Sequence, residues 1–216
     1  MKTILLAIAG ALAFASTPAQ AVVKCAAAGA VSVFNGTDGF VFFISKNYGD
    51  AVFMVPGKAF AKDAGAPPGT TQFTVDEVHY QFLTVPKAKF VGSVAAADDA
   101  SILTMHARKE HQFAVGAGSQ LTKFEDLGER KRAATGANPP FVFKLWSLKH
   151  PTKPVGASQL MLSTVIGDEV ALLSAIMPTP AHERRTMAVF ERFASSYRFL
   201  ESEKDCPAAP GGSTKP

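Results

Sequence analysis

Apolar and polar positions alternate in short runs along most of this chain. Between Ala30 and Pro56, the segments Val31–Phe34, Phe40–Ser45 and Ala51–Val55 are separated by the turn-forming stretches Asn35-Gly36-Thr37-Asp38-Gly39 and Asn47-Tyr48-Gly49-Asp50. This predicts consecutive β-hairpins. Lys58 to Thr71 contains Pro67-Pro68-Gly69 and little periodicity, which predicts a connecting loop with at most one helical turn. Val78–Val85 alternates loosely and stops at Pro86, and Ser101–Ala107, after an Asp98-Asp99 turn, predicts a further strand. Arg108–Ala117 suits either a strand or a short helix. Phe141–Leu148, bounded by Pro139-Pro140 and Pro151, predicts a strand delimited on both sides.

The clearest pattern is Ser158–Ile166, then Gly167-Asp168, then Glu169–Ile176. Glycine at the first central position suits a type II′ two-residue turn, which fixes a register with Leu162 opposite Leu173 and Val165 opposite Val170. The two apolar pairs fall on opposite faces, so the hairpin is expected to be covered above and below. Thr179-Pro180 offers a helix cap and first turn, and Met187, Phe190, Ala194 and Tyr197 follow at helical spacing. With Arg184, Arg185, Glu191 and Arg192 on its other side, an amphipathic helix from Pro180 to Tyr197 is predicted to lie on the sheet. The fold class expected is α/β in the α+β sense: one antiparallel sheet of about six to eight strands, covered by helices on both faces, in a single domain.

The first residues change the setting. Lys2, the apolar run Ile4 to Phe14 and the small-residue triplet Ala19-Gln20-Ala21 follow the plan of a secretory signal peptide over residues 1–21. The run is too short for a permanent membrane anchor, and no later stretch approaches the length of a span. Cleavage leaves about 195 residues, within the range of one domain. The expected organisation is therefore a leader at 1–21, a single α/β domain at 22–206 and a loose Pro/Gly/Ala/Ser tail at 207–216, with the product periplasmic or secreted. The only two cysteines, Cys25 and Cys206, stand near the two ends of that product, and in an oxidising compartment they are expected to pair. Their separation rules out a CxxC redox site. A formal net charge of +4 is a mild excess; it favours anionic neighbours without marking a nucleic-acid binder.

Candidate chemistry is sparse. Of the histidines, His79, His106, His111, His150 and His182, none forms an HExxH or a close helical pair. If Ser101–His111 were extended, His106, Arg108 and Glu110 would share a face within reach of His79; surface and edge positions account for the same residues. Ser163, Ser174, Ser195 and Ser196 stand without a GxSxG elbow. The acidic pairs Asp98-Asp99, Glu125-Asp126 and Asp168-Glu169 fall at expected turns, where solvation explains them. Gly116-Ala117-Gly118-Ser119 lacks the lysine of a phosphate loop. No cofactor is therefore expected. Arg130, Lys131 and Arg132, with Lys123, form the densest basic cluster and are the candidate partner-binding patch.

From about Val78 to Leu200 the chain resembles the PsbP-like group of exported α/β proteins. The likeness rests on the strand ending at Pro86, on Leu103-Thr104-Met105-His106-Ala107, on the Gly167-Asp168 hairpin and on the closing Phe193-Ala194-Ser195-Ser196-Tyr197-Arg198-Phe199. It implies an antiparallel sheet between helical layers in a binding or accessory protein that shares no catalytic constellation with its relatives, so no site residue is carried over. The expected role is a soluble periplasmic accessory module acting through a protein partner in the cell envelope, with no nucleic acid and no integral membrane segment. Two other classes compete: a secreted hydrolase or metal-dependent enzyme drawing on His79, His106, His111 and Ser163, or a carrier of a small apolar ligand.

Overall fold

Strict alternation of large apolar side chains on both faces organises the centre of the molecule. In the computed structural model, which describes residues 31–36, 38–46, 49–62, 70–91, 98–136, 138–152, 158–177 and 179–200, the hairpin of β9 (Ser158–Ile166) and β10 (Glu169–Met177) has the register expected of it. Leu162 faces Leu173 and Val165 faces Val170. Gly167 turns the chain with φ 56°, a conformation that costs glycine little. The leader, the tail and both cysteines lie outside the described residues.

Seven antiparallel strands form the larger sheet, in the order β4 (Phe60–Lys62), β5 (Thr70–Val75), β6 (Val78–Pro86), β10, β9, β8 (Phe141–Lys149) and β7 (Lys123–Arg132). The hairpins near the N-terminus do not join it. Instead β1 (Val31–Gly36), β2 (Gly39–Lys46) and β3 (Gly49–Pro56) make a second sheet of four strands, closed at its far edge by β11 (Arg198–Phe199). Lys58 to Thr71, expected to be a loop, contributes β4 and the start of β5.

The two sheets pack through phenylalanines. Phe42 stacks on Phe53 at 4.9 Å and lies 4.4 Å from Phe73 of β5, while Phe53 meets Phe82 of β6 at 5.3 Å. Phe193 of α3 (Glu183–Ser196), preceded by a 3-10 turn at Pro180–His182, joins Phe53 at 4.5 Å. Aromatic pairs at such distances add to the stabilisation from burial. On this helix Thr186, Val189, Phe190, Phe193 and Ala194 are buried, while Arg184, Arg185, Glu191 and Arg192 are exposed, as the amphipathic pattern requires. One face of the larger sheet thus carries α3 and the smaller sheet.

The other face carries two helices, α1 (Ala88–Val91) and α2 (Asp99–Gly116), and here the structure corrects the reading of Ser101–Ala107 as a strand. Asp98 is a helix cap: its carboxylate accepts the Ser101 amide at 2.7 Å, satisfying an otherwise orphaned donor. Ile102, Leu103, His106 and Ala107 are the buried positions of α2, a spacing of one helical face. Over five residues that spacing imitates alternation; over 18 it does not. The same helix absorbs most of the ambiguous stretch Arg108–Ala117.

Candidate functional site

Register across the larger sheet defines what lies beneath α2. Phe73, Val78, Tyr80, Phe82, Leu162 and Leu173 belong to the core shared with α3, so the residues between them point toward α2. One transverse row on that side reads Gln72, Gln81, Ser174, Met161, Trp146; the next reads Thr74, His79, Ile176, Gln159, Leu148, Phe124. α2 packs on β8 and β9, and α1 on β6. The Trp146, Leu148, Met161 and Leu172 side chains are covered, together with Ala107 and Ala114 of the helix. Toward β5 and β6 the rows continue as Gln72, Thr74, His79 and Gln81, all partly accessible, and Ile176 beside them is 48% exposed. The result is a sheet face roofed over one half and polar but uncharged over the other.

Beneath the roof sits an unusual polar group. His106 is fully buried, its ring edge-on to Phe90 at 4.8 Å and to Trp146 at 5.4 Å. Neither ring nitrogen has a hydrogen-bond partner, and the same is true of Trp146 Nε1 and Ser163 Oγ. The Glu110 carboxylate, one helical turn onward, is 3.8 Å from His106 Nε2. Burial pushes the His106 imidazole down to about 4 and pushes Glu110 up. His106 is consequently neutral at ordinary pH. A hydroxyl and an imidazole that each lack a partner do not form the nucleophile–base pair of acyl-transfer chemistry.

The other expected residues are dispersed. His111 Nε2 lies 2.8 Å from the Thr122 carbonyl, His182 Nδ1 lies 2.9 Å from Thr179 Oγ1, and His150 Nδ1 accepts the Thr152 amide at 3.2 Å. Among the described residues no three His, Cys, Asp or Glu side chains gather as a metal site would require. Asp126 and Glu125 belong to β7 rather than to a turn. The Lys144 ammonium donates to Asp126 at 2.7 Å and that of Lys149 lies 2.7 Å from Glu125, and these bonds hold both carboxyls below their usual range.

The basic cluster lies along β7, the edge strand beside β8. Its register shifts between Asp126 and Glu129, with Gly128 at φ 86°; such a bulge and a charged rim protect an edge. Arg130 is spent on Glu191 of α3 at 2.7 Å, and Arg132 donates to the Tyr197 carbonyl with its guanidinium 4.8 Å over the Phe141 ring. Lys123 and Lys131 are exposed, eight positions apart along the strand. The cluster that looks continuous in sequence is thus divided between internal fastening and two separated cations.

What the residues alone did not disclose are the exposed apolar side chains Phe113, Val115 and Ile176. Once Asp98 is recognised as a cap, the helical wheel places Val115 off the buried stripe; Phe113, seven residues after His106, falls on that stripe, so no local signal discloses its exposure.

Comparison with known proteins bears on the fold. No protein-family model matches the chain, and no curated protein matches it. Among solved structures the fold is similar to cyanobacterial PsbP from Synechocystis, with 12% identity and a TM-score of 0.45 over 80% of this chain and 94% of that one. It is also similar to the Ran-binding protein Mog1p of Saccharomyces cerevisiae, with 10% identity and a TM-score of 0.48 over 80% of this chain and 97% of that one. Leu103–Ala107, one of the segments on which the PsbP-like resemblance over residues 78–200 rests, is helical.

Proposed function

We propose that the protein is an exported accessory module that binds a protein partner through the open half of its larger sheet. The observation that carries this reading is Ile176, a large apolar residue 48% exposed at the border of a flat array of Gln72, Thr74, His79, Gln81 and Gln159. A large exposed apolar side chain beside amide and hydroxyl donors and acceptors suits a protein–protein interface, whereas a phosphate or nucleic acid would call for cations. In this reading residues 1–21 direct the chain out of the cytoplasm, residues 22–206 form one domain and the tail takes no part.

The test places a photo-crosslinking residue at Gln81 and, as a control, at Arg184 on the solvent face of α3, in cells that make the protein. A defined heavier adduct is expected from position 81 and not from position 184, and it is expected to disappear when Ile176→Glu is added. Self-adducts alone, or an adduct indifferent to Ile176→Glu, would overturn the reading.

A further inference from the structure

We infer that the C-terminal tip of α2 is a docking point for an anionic lipid bilayer, distinct from the open sheet face. Phe113 is 73% exposed and Val115 is 51% exposed. Between them Ala114 packs toward the Trp146 cluster, so the two flanking side chains diverge from the body of the protein and contribute nothing to its core. Gly116, Ala117 and Gly118 follow, all exposed, and a Cβ added at Gly116 or Gly118 would meet no atom within 4 Å. From Phe113 to Gly118 there is no charged residue. The apex is therefore apolar, narrow and unobstructed.

Two further features suit insertion into a headgroup layer. The carbonyls of Phe113, Ala114 and Val115, which a helix end ordinarily leaves to water, accept the amides of Ala117, Ser119 and Gly118 at 2.8, 3.0 and 3.1 Å. The tip can leave water without stranding these polar groups. Behind it stand exposed cations: Arg108 and Lys109 on the preceding turns, the Lys109 ammonium donating to the Lys89 carbonyl and lying 5.7 Å from the Phe90 ring, and Lys123 where the chain enters β7. At a helical rise of about 1.5 Å per residue, Lys109 lies roughly 6 Å and Arg108 roughly 7.5 Å behind Phe113. That offset corresponds to the depth by which interfacial helices bury their apolar side chains, roughly 5–10 Å, with cations left at phosphate level. Between Asp99 and Glu125 the single carboxylate is Glu110, which is turned toward His106. A convex apolar point ringed by cations fits an anionic membrane better than it fits a protein groove.

The test uses the full exported chain with vesicles of phosphatidylcholine alone or with roughly one-third phosphatidylglycerol. Flotation with the anionic vesicles is expected, with little on the neutral ones. F113S/V115S is expected to weaken binding roughly tenfold or more, and R108Q/K123Q is expected to abolish the preference for phosphatidylglycerol, each with unchanged thermal unfolding. As an independent readout, Phe113→Trp adds a fluorophore whose emission is expected to shift to the blue on anionic vesicles. Failure of the parent chain to float with anionic vesicles, flotation of F113S/V115S equal to the parent's, or Phe113→Trp emission unmoved by lipid would each overturn the inference. So would concentration-dependent self-association abolished by F113S/V115S without vesicle binding, since the tip would then meet a second copy. None of these outcomes touches crosslinking at Gln81.

Discussion

His106 makes the chain vulnerable to mild acid, and the extent can be worked out. Its folded value of about 4 lies below the ordinary 6.5, so between those limits the unfolded chain binds a proton that the folded chain refuses. The stability this group supports is complete above 6.5 and is lost as pH falls toward 4. Across that interval the loss amounts to about 3 kcal/mol, of which about 2 kcal/mol has gone by pH 5. Stopping at pH 5 keeps the measurement above the region where Asp76, Asp98, Glu125 and Asp126 titrate, since their values are all lowered. Glu110 works in the opposite sense: its raised value favours the folded state at low pH, and it is retained in both chains to be compared. Urea unfolding, followed by the fluorescence of Trp146, which is the only tryptophan and stands 5.4 Å from the His106 ring, gives stability at pH 8 and at pH 5 for the parent and for His106→Leu. The parent is expected to lose about 2 kcal/mol and His106→Leu almost nothing. Equal losses in the two chains would refute the reasoning.

Three further outcomes are expected. Val31, Ile44, Ala51 and Phe199 occupy one transverse row of the smaller sheet, so the backbone leading back to Cys25 and that leading on to Cys206 leave the same end of it, about 14 Å apart. Alkylation and mass analysis of freshly isolated protein should find these two sulfurs joined, with reduction costing up to about 5 kcal/mol; two alkylated thiols would count against the bridge. Phe53→Ala, which removes a ring shared by both sheets and α3, should lower stability by about 3–5 kcal/mol in urea unfolding; a loss under about 1 kcal/mol would mean the sheets are held together otherwise. Asp76 accepts the Lys58 and Ala59 amides at 2.9 and 2.7 Å and pairs with Arg185. Asp76→Asn should therefore cost about 1–2 kcal/mol, and no change in the urea midpoint would show that β4 is pinned by other bonds.

The parts of this fold that could be read from residues were those in which local signals agreed. At Gly167-Asp168 a turn dipeptide lay between two apolar runs of matching length, and the register followed. At Glu183–Ser196 an apolar stripe and an arginine-rich face told the same story. Elsewhere the signals were shared between two structures. Asp98 is as suitable for a turn as for a helix cap, and Leu103-Thr104-Met105-His106-Ala107 satisfies both periods within its length. β7 escaped notice because Lys123, Glu125, Asp126, Arg130 and Lys131 alternate charge rather than hydrophobicity, as an edge strand permits. The candidate site was less legible still. Exposure of Phe113 and Ile176 depends on where α2 ends and how far it roofs the sheet, and neither is a local property of the residues concerned.

The smaller sheet draws its outermost strand, β11, from residues 198 and 199, more than 140 positions after β3. A polypeptide emerging N-terminus first, from a ribosome or through a translocation channel, carries three phenylalanine-rich strands that have neither their fourth neighbour nor α3 to cover them until almost the whole length has followed. Such closure late in synthesis leaves the early hairpins uncommitted until α3 and β11 have been made. It also makes them the segment most in need of a holding chaperone.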